Sequence, residues 1–147
     1  MTWTEALPYF PKSELACKHC GEVKLDLSFA SRLPALRQEW GAPLSPTSVC
    51  RCSHHNEAVG GHPRSLHLTE NPVHPTDGCM AADIAWGHWP EDRKLQFAQL
   101  AWKLGWSLGL NDSFIHIDRR TSIGLPQHVF TYAGYTGSFD AAHVTGD

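Results

Sequence analysis

The sequence predicts a single α+β domain, and three observations carry that expectation. Two segments repeat apolar residues at helical spacing: Phe29, Leu33, Leu36 and Trp40 in one, and Leu95, Phe97, Leu100, Ala101, Leu104 and Leu108 in the other. Two short apolar runs, near residues 113–117 and 128–132, read as strands. The 147 residues contain no internal repeat and no linker, which suits one domain able to bury a core and hold a cleft.

In chain order, residues 1–16 are punctuated by Pro8 and Pro11 and are expected as an N-terminal arm. Cys17 to Asp26 has turn chemistry and little periodicity. The first helix is expected from Ser28 to Trp40, stopped by Gly41, with Pro34 fitting only near a first turn. Pro90-Glu91-Asp92 opens the second helix with acidic residues where the helix dipole favours them. Ser113–Ile117 is expected as a strand bounded by Asn111-Asp112 and by Asp118-Arg119-Arg120, and His128–Tyr132 as another. Residues 136–147 read as a loose tail.

Composition removes several classes of function. Twelve Lys and Arg against fifteen Asp and Glu give a net charge of -3, so there is no basic field for a nucleic-acid partner. A charged fraction of 18% beside six Trp excludes a disordered tail. No apolar run approaches the ~18 residues of a membrane span. The opening Met1-Thr2-Trp3-Thr4-Glu5 has neither region of a signal peptide, so synthesis in the cytoplasm is expected. Ten His point to metal or acid–base chemistry.

The segment from Thr47 to Trp86 concentrates that chemistry. Asp83 lies inside the apolar run Ala81-Ala82-Asp83-Ile84-Ala85, where a carboxylate is costly unless a cation meets it. His116 is likewise flanked by Ile115 and Ile117. With His67, these residues could form a three-ligand zinc set that leaves a fourth position open, as catalytic zinc requires. The same residues also fit a satisfied core histidine and a buried salt-bridge carboxylate, and spacing alone does not choose.

Taken together, Ser65-Leu66-His67, Ala81-Ala82-Asp83-Ile84 and Phe114-Ile115-His116-Ile117-Asp118 resemble the zinc D-Ala-D-Ala carboxypeptidase and L-Ala-D-Glu endopeptidase family, which shares its fold with the hedgehog signalling domain. The stretch Thr47-Ser48, Arg51-Cys52, Asn56 and Val59-Gly60-Gly61 resembles the lead-in to that family's first zinc ligand. The resemblance implies a small antiparallel sheet flanked by helices, with Zn2+ held by His67, Asp83 and His116. It implies hydrolysis of a peptide bond in peptidoglycan stem peptides, by a D,D-carboxypeptidase or an endolysin-type endopeptidase. Arg51 falls on the family's substrate-carboxylate arginine, and Arg120 on a basic position after the histidine–aspartate pair. A monomer acting at the bacterial wall or periplasm is expected, phage-encoded or released without a signal peptide.

The sequence also departs from the family. Leu68–Ala82 separate the first histidine from the aspartate, a longer excursion than usual, and its Glu70, His74 and Asp77 suit either a cleft rim or a plain surface loop. His74 and Asp77 are rival ligands there, ranked below His67 and Asp83. The family's general-base positions hold Ser113 and Phe114, which cannot accept a proton, and Cys50 stands where a tyrosine is common. Asp112 is the preferred substitute base, because positions four apart share a face in an ideal strand. Asp118 shares the face of His116 too, and suits a second catalytic role or that of orienting a ligand or pairing with an arginine. Without a base, a noncatalytic wall-binding or virion module of the same fold is the alternative.

Five Cys fall as Cys17-x-x-Cys20, Cys50-x-Cys52 and Cys79. Free thiols, disulfides and a second, structural zinc all remain open. Trp86, Trp89, Trp102 and Trp106 are expected in the core, with a cleft wall as the alternative for the first two.

Overall fold

The computed structural model describes residues 2–146. A two-stranded pair, β1 (Thr2–Trp3) with β2 (Leu25–Asp26), flanks a five-stranded sheet. That sheet contains β3 (Pro46–Ser48), β4 (Ala81–Ala85), β5 (Ser107–Leu110), β6 (Phe114–Asp118) and β7 (Val129–Thr131), in spatial order β3-β4-β6-β5-β7. The pairs β3–β4, β4–β6 and β5–β6 are antiparallel. The expected antiparallel sheet gains one parallel edge strand, β7 beside β5, reached through a 3-10 turn at Arg120–Ile123.

The helices are α1 (Lys12–Leu15), α2 (Leu27–Trp40), α3 (Ser53–Ala58), α4 (Glu91–Lys103) and α5 (Ala141–Thr145). In α2, the Asp26 carboxylate caps Ser28 N, and Gly41 closes the C-terminus in the left-handed conformation. Pro34 lies in the middle of this helix rather than in its first turn. It removes one backbone donor, but Phe29, Ala30, Leu33 and Leu36 are buried around it, and their packing holds the helix together. The second helix is shorter than its apolar period suggests: it ends at Lys103, and Leu108 belongs to β5.

Both chain ends are corrected. The expected arm contributes Leu7, Phe10 and Leu15 to the core, and the expected loose tail contributes Phe139 and Val144. Asp140 and His143 form a capping box that starts α5, and Tyr135 Oη donates to Phe139 O at 2.8 Å. Trp86 and Trp106 are each 1% exposed, so packing is their role. Trp89 stacks on Trp40 and meets Phe97 edge-on, away from any cleft.

The register of β4 against β6 positions the site. Ala82 faces Ile117 and Ile84 faces Ile115, all four fully buried in the core shared with Phe29 of α2 and Phe97 of α4. Side chains alternate along a strand, so the intervening pair, Asp83 opposite His116, points to the other face.

Candidate metal centre

Asp83 and His116 therefore come from one rung of the sheet, whereas His67 arrives on a loop. That loop is pinned on both sides: Arg51 N donates to His67 O at 2.9 Å, Thr69 N to Arg51 O at 3.0 Å, and Met80 N to Leu66 O at 2.9 Å. His67 Nε2 and His116 Nδ1 each lie 3.1 Å from Asp83 Oδ1. All three residues are buried, and their ligand atoms lie within 4.8 Å of one another.

The outer partners fix the two imidazoles. His67 Nδ1 is 2.8 Å from the Val49 carbonyl, which can only accept, so this nitrogen carries the proton. His116 Nε2 faces Asp118 Oδ2 at 2.8 Å and is its donor. Burial holds His67 below its ordinary value, in the neutral form, so a bare lone pair on Nε2 confronts the Asp83 oxygen. Burial also opposes charge on His116, but hydrogen bonds to Asp118 and Asp83 outweigh it and carry His116 up to about 9. For Asp83, burial is outweighed by the two imidazoles, which keep it well below the usual carboxylate range. An anionic oxygen between two nitrogens aimed at it is the donor set a divalent cation satisfies.

A second tier of contacts holds these ligands. Arg51 reaches Ser48 Oγ through Nε at 2.9 Å, Asn56 Oδ1 through Nη1 at 3.2 Å and Asp83 Oδ2 through Nη2 at 3.1 Å. A side chain on Gly61 would run into the Asn56 amide and crowd Arg51, so only glycine leaves this clamp intact. Asp118 is fully buried and takes Arg120 N, Nε and Nη2 at 3.0, 3.0 and 2.7 Å, besides His116. Burial raises the Asp118 carboxyl, but these partners outweigh it and hold it far below its ordinary range.

The centre opens into a cleft of about 660 Å³. Its rim includes His62, Arg64 and His74, and its far wall is Phe130 from β7 and Tyr132 just after it. Gly109, the partner of His116 across β5, lacks the side chain that would collide with Phe130.

Of the residues singled out in the sequence, His67, Asp83, His116, Asp118, Arg51 and Arg120 all line this cleft. Asp112 does not: its carboxylate accepts from Thr136 N at 2.8 Å and Thr136 Oγ1 at 2.6 Å. The ideal-strand argument fails because β6 begins at Phe114, and Asn111 caps Ser113 N in the turn before it, so Asp112 is outside the alternation. The excursion after His67 is a rim, with His74 at the cleft and Asp77 outside it. Missed in the sequence were Val49, whose only signal was nearness to Arg51, and Tyr132, read only as the end of a strand; Asn56 was noted as part of the lead-in motif, but its contact with Arg51 was not.

A buried two-histidine, one-aspartate centre at the floor of an open cleft belongs to the class of candidate mononuclear metal sites. The family model for Peptidase M15 matches residues 8–118, which contain all three candidate ligands and Asp118. The chain belongs to the Peptidase M15 family. No curated protein and no solved structure matches it. Among the described residues no helix is long and apolar enough to cross a membrane.

Proposed function

We propose that this peptidase is zinc-dependent and hydrolyses a peptide bond in peptidoglycan stem peptides. The reading rests above all on the donor set: an imidazole nitrogen on each side of one buried carboxylate oxygen, with His67 Nε2 bare and His116 Nδ1 able to give up its proton in exchange for an incoming cation. Nitrogen and oxygen donors of this kind suit Zn2+, which when bound acidifies a water and polarises a carbonyl.

The remaining roles follow from the contacts. His67, Asp83 and His116 hold the ion. Asp118 is a positioning residue, since every oxygen lone pair it offers is engaged by His116 or Arg120. Arg51 and Arg120 face the cleft with their donors shared with Asp83 and Asp118, so a stem-peptide carboxylate meets a guanidinium already oriented. Arg64 on the rim, whose side chain has no partner among the described residues, adds a further cation for that carboxylate. The proton acceptor in this reading is His74, a cleft-lining imidazole whose ring makes no hydrogen bond among the described residues. It replaces Asp112, whose carboxylate is committed to Thr136.

The test is release of free amines from purified peptidoglycan. Activity should disappear with a chelator, return with zinc and be absent in Asp83→Ala. A zinc-loaded protein that releases nothing would favour the noncatalytic wall-binding module, a reading supported by the lack of an uncommitted carboxylate in the cleft among the described residues.

A further inference from the structure

A second group of ligand-type side chains lies on the other side of the Arg51 segment. Cys17, Cys20 and Cys52 bring their sulfurs within 4.8 Å of one another, and all are free thiols. His19 Nδ1 is 3.5 Å from Cys52 Sγ.

Four of the five cysteines divide by what their sulfurs do. Cys50 and Cys79 donate: Cys50 Sγ points to Lys24 O at 3.9 Å, and Cys79 Sγ to Val49 O at 3.2 Å and Ala81 O at 3.4 Å. Both are buried and have backbone carbonyl partners. Cys17 and Cys52 accept instead. Cys17 Sγ receives Cys52 N at 3.3 Å. Cys52 Sγ receives His55 N at 3.4 Å. The turn carrying the first two cysteines is closed by Gly21 N donating to Cys17 O at 2.8 Å, with Gly21 at φ 75°. A tight Cys-x-x-Cys turn brought against a third cysteine is a soft donor set, and three such sulfurs select a thiophilic ion over Mg2+ or Ca2+.

We propose that Cys17, Cys20 and Cys52, with His19 Nδ1 as fourth donor, form a structural zinc site distinct from the cleft centre. On binding, the thiols release their protons to solvent and the ion is held by three thiolates and one neutral imidazole. No electron transfer is involved. The site would tie the turn at residues 17–21 to Cys52, the neighbour of Arg51, and so brace the clamp on Asp83.

The experiment uses full-length protein kept reduced and loaded with Co2+ in place of Zn2+, with near-ultraviolet circular dichroism of the tryptophans as a check on folding. Thiolate-to-cobalt charge-transfer absorption is expected in the wild type and in Asp83→Ala, which loses only the cleft ion. Cys20→Ser alters an exposed side chain, so the fold should persist; it should lose this absorption and bind one equivalent less metal. His19→Ala should keep the charge transfer but shift the visible cobalt bands. Folded, cobalt-loaded wild type without charge-transfer absorption would overturn the proposal, as would loss of that absorption in Asp83→Ala with Cys20→Ser unaffected. A disulfide among the three cysteines in protein purified without reductant, with no sulfur–cobalt signal after reduction, would also overturn it. An unchanged spectrum in His19→Ala would remove His19 from the set. None of these readouts needs catalytic activity, so failure here is separable from failure of the peptidase reading.

Discussion

His116 Nε2 lies 2.8 Å from Asp118 Oδ2, and the same carboxylate takes three hydrogen bonds from Arg120. The imidazole is thereby fixed in ring orientation and tautomer, with Nδ1 turned to Asp83. Replacing Asp118 with Asn keeps the size but sets an amide group against Arg120 and frees the ring. Metal affinity should weaken by about 10–100-fold, read by competition with a chelator. Wild-type affinity in Asp118→Asn would show that the ring is held by its packing alone.

Arg51→Lys keeps a positive charge and loses the planar fork that joins Ser48, Asn56 and Asp83. The family resemblance alone suggests a fall in catalytic efficiency with little change in metal content. The contact with Asp83 Oδ2 changes that expectation: metal affinity should also fall, by roughly tenfold. Gly61→Ala should act in the same direction by displacing Asn56 and the guanidinium. Normal metal binding in both variants would restrict Arg51 to substrate.

His74→Gln should retain full metal occupancy while peptide hydrolysis falls by roughly 10²–10⁴, the usual worth of a general base. Asp112→Asn should leave the rate near wild type, since its partner is Thr136. The reverse order of effects would return the base to the hairpin preceding β6.

The metal-free protein should show a distinctive pH dependence. His116 has an ordinary value of 6.5 and a folded value of about 9, so its contribution is fully present below 6.5 and lost as the pH rises through 9. His67, depressed by burial, works oppositely and costs stability as the pH falls below 6.5. Asp83 and Asp118, both depressed, lose their contributions only as the pH falls below the ordinary carboxylate value of 3.8. The urea midpoint of metal-free protein should therefore decline from pH 6.5 to 9, by an amount on the order of 1–3 kcal/mol in stability. His116→Gln should remove most of that decline; a midpoint that rises over this window in the wild type would contradict the assignment.

The helix from Leu27 to Trp40 and the strand around His116 were legible because periodicity reports burial, and burial was the same in the fold. The three candidate ligands were legible for the converse reason: Asp83 and His116 interrupt apolar runs, and His67 completes a recognisable order of motifs. Asp112 was misjudged because a strand pattern does not show where the strand starts, and a difference of two residues takes a side chain off the face. Phe139 and Val144 carry too little periodicity in a short Gly- and Thr-rich stretch to reveal that they dock on the core. The grouping of Cys52 with Cys17 rather than with Cys50 depends on tertiary path, which spacing does not encode.

The pairing of Asp83 with His116 on one rung of β4 and β6 has a further consequence. A slip of one residue between these strands would turn Ala82 or Ile84 toward the cleft and bury a carboxylate or an imidazole among Phe29 and Phe97. The centre can assemble in one alignment of the sheet and no other. Metal bound at the proposed cleft site would therefore count the molecules whose two central strands have found their native partners, an internal gauge of correct folding.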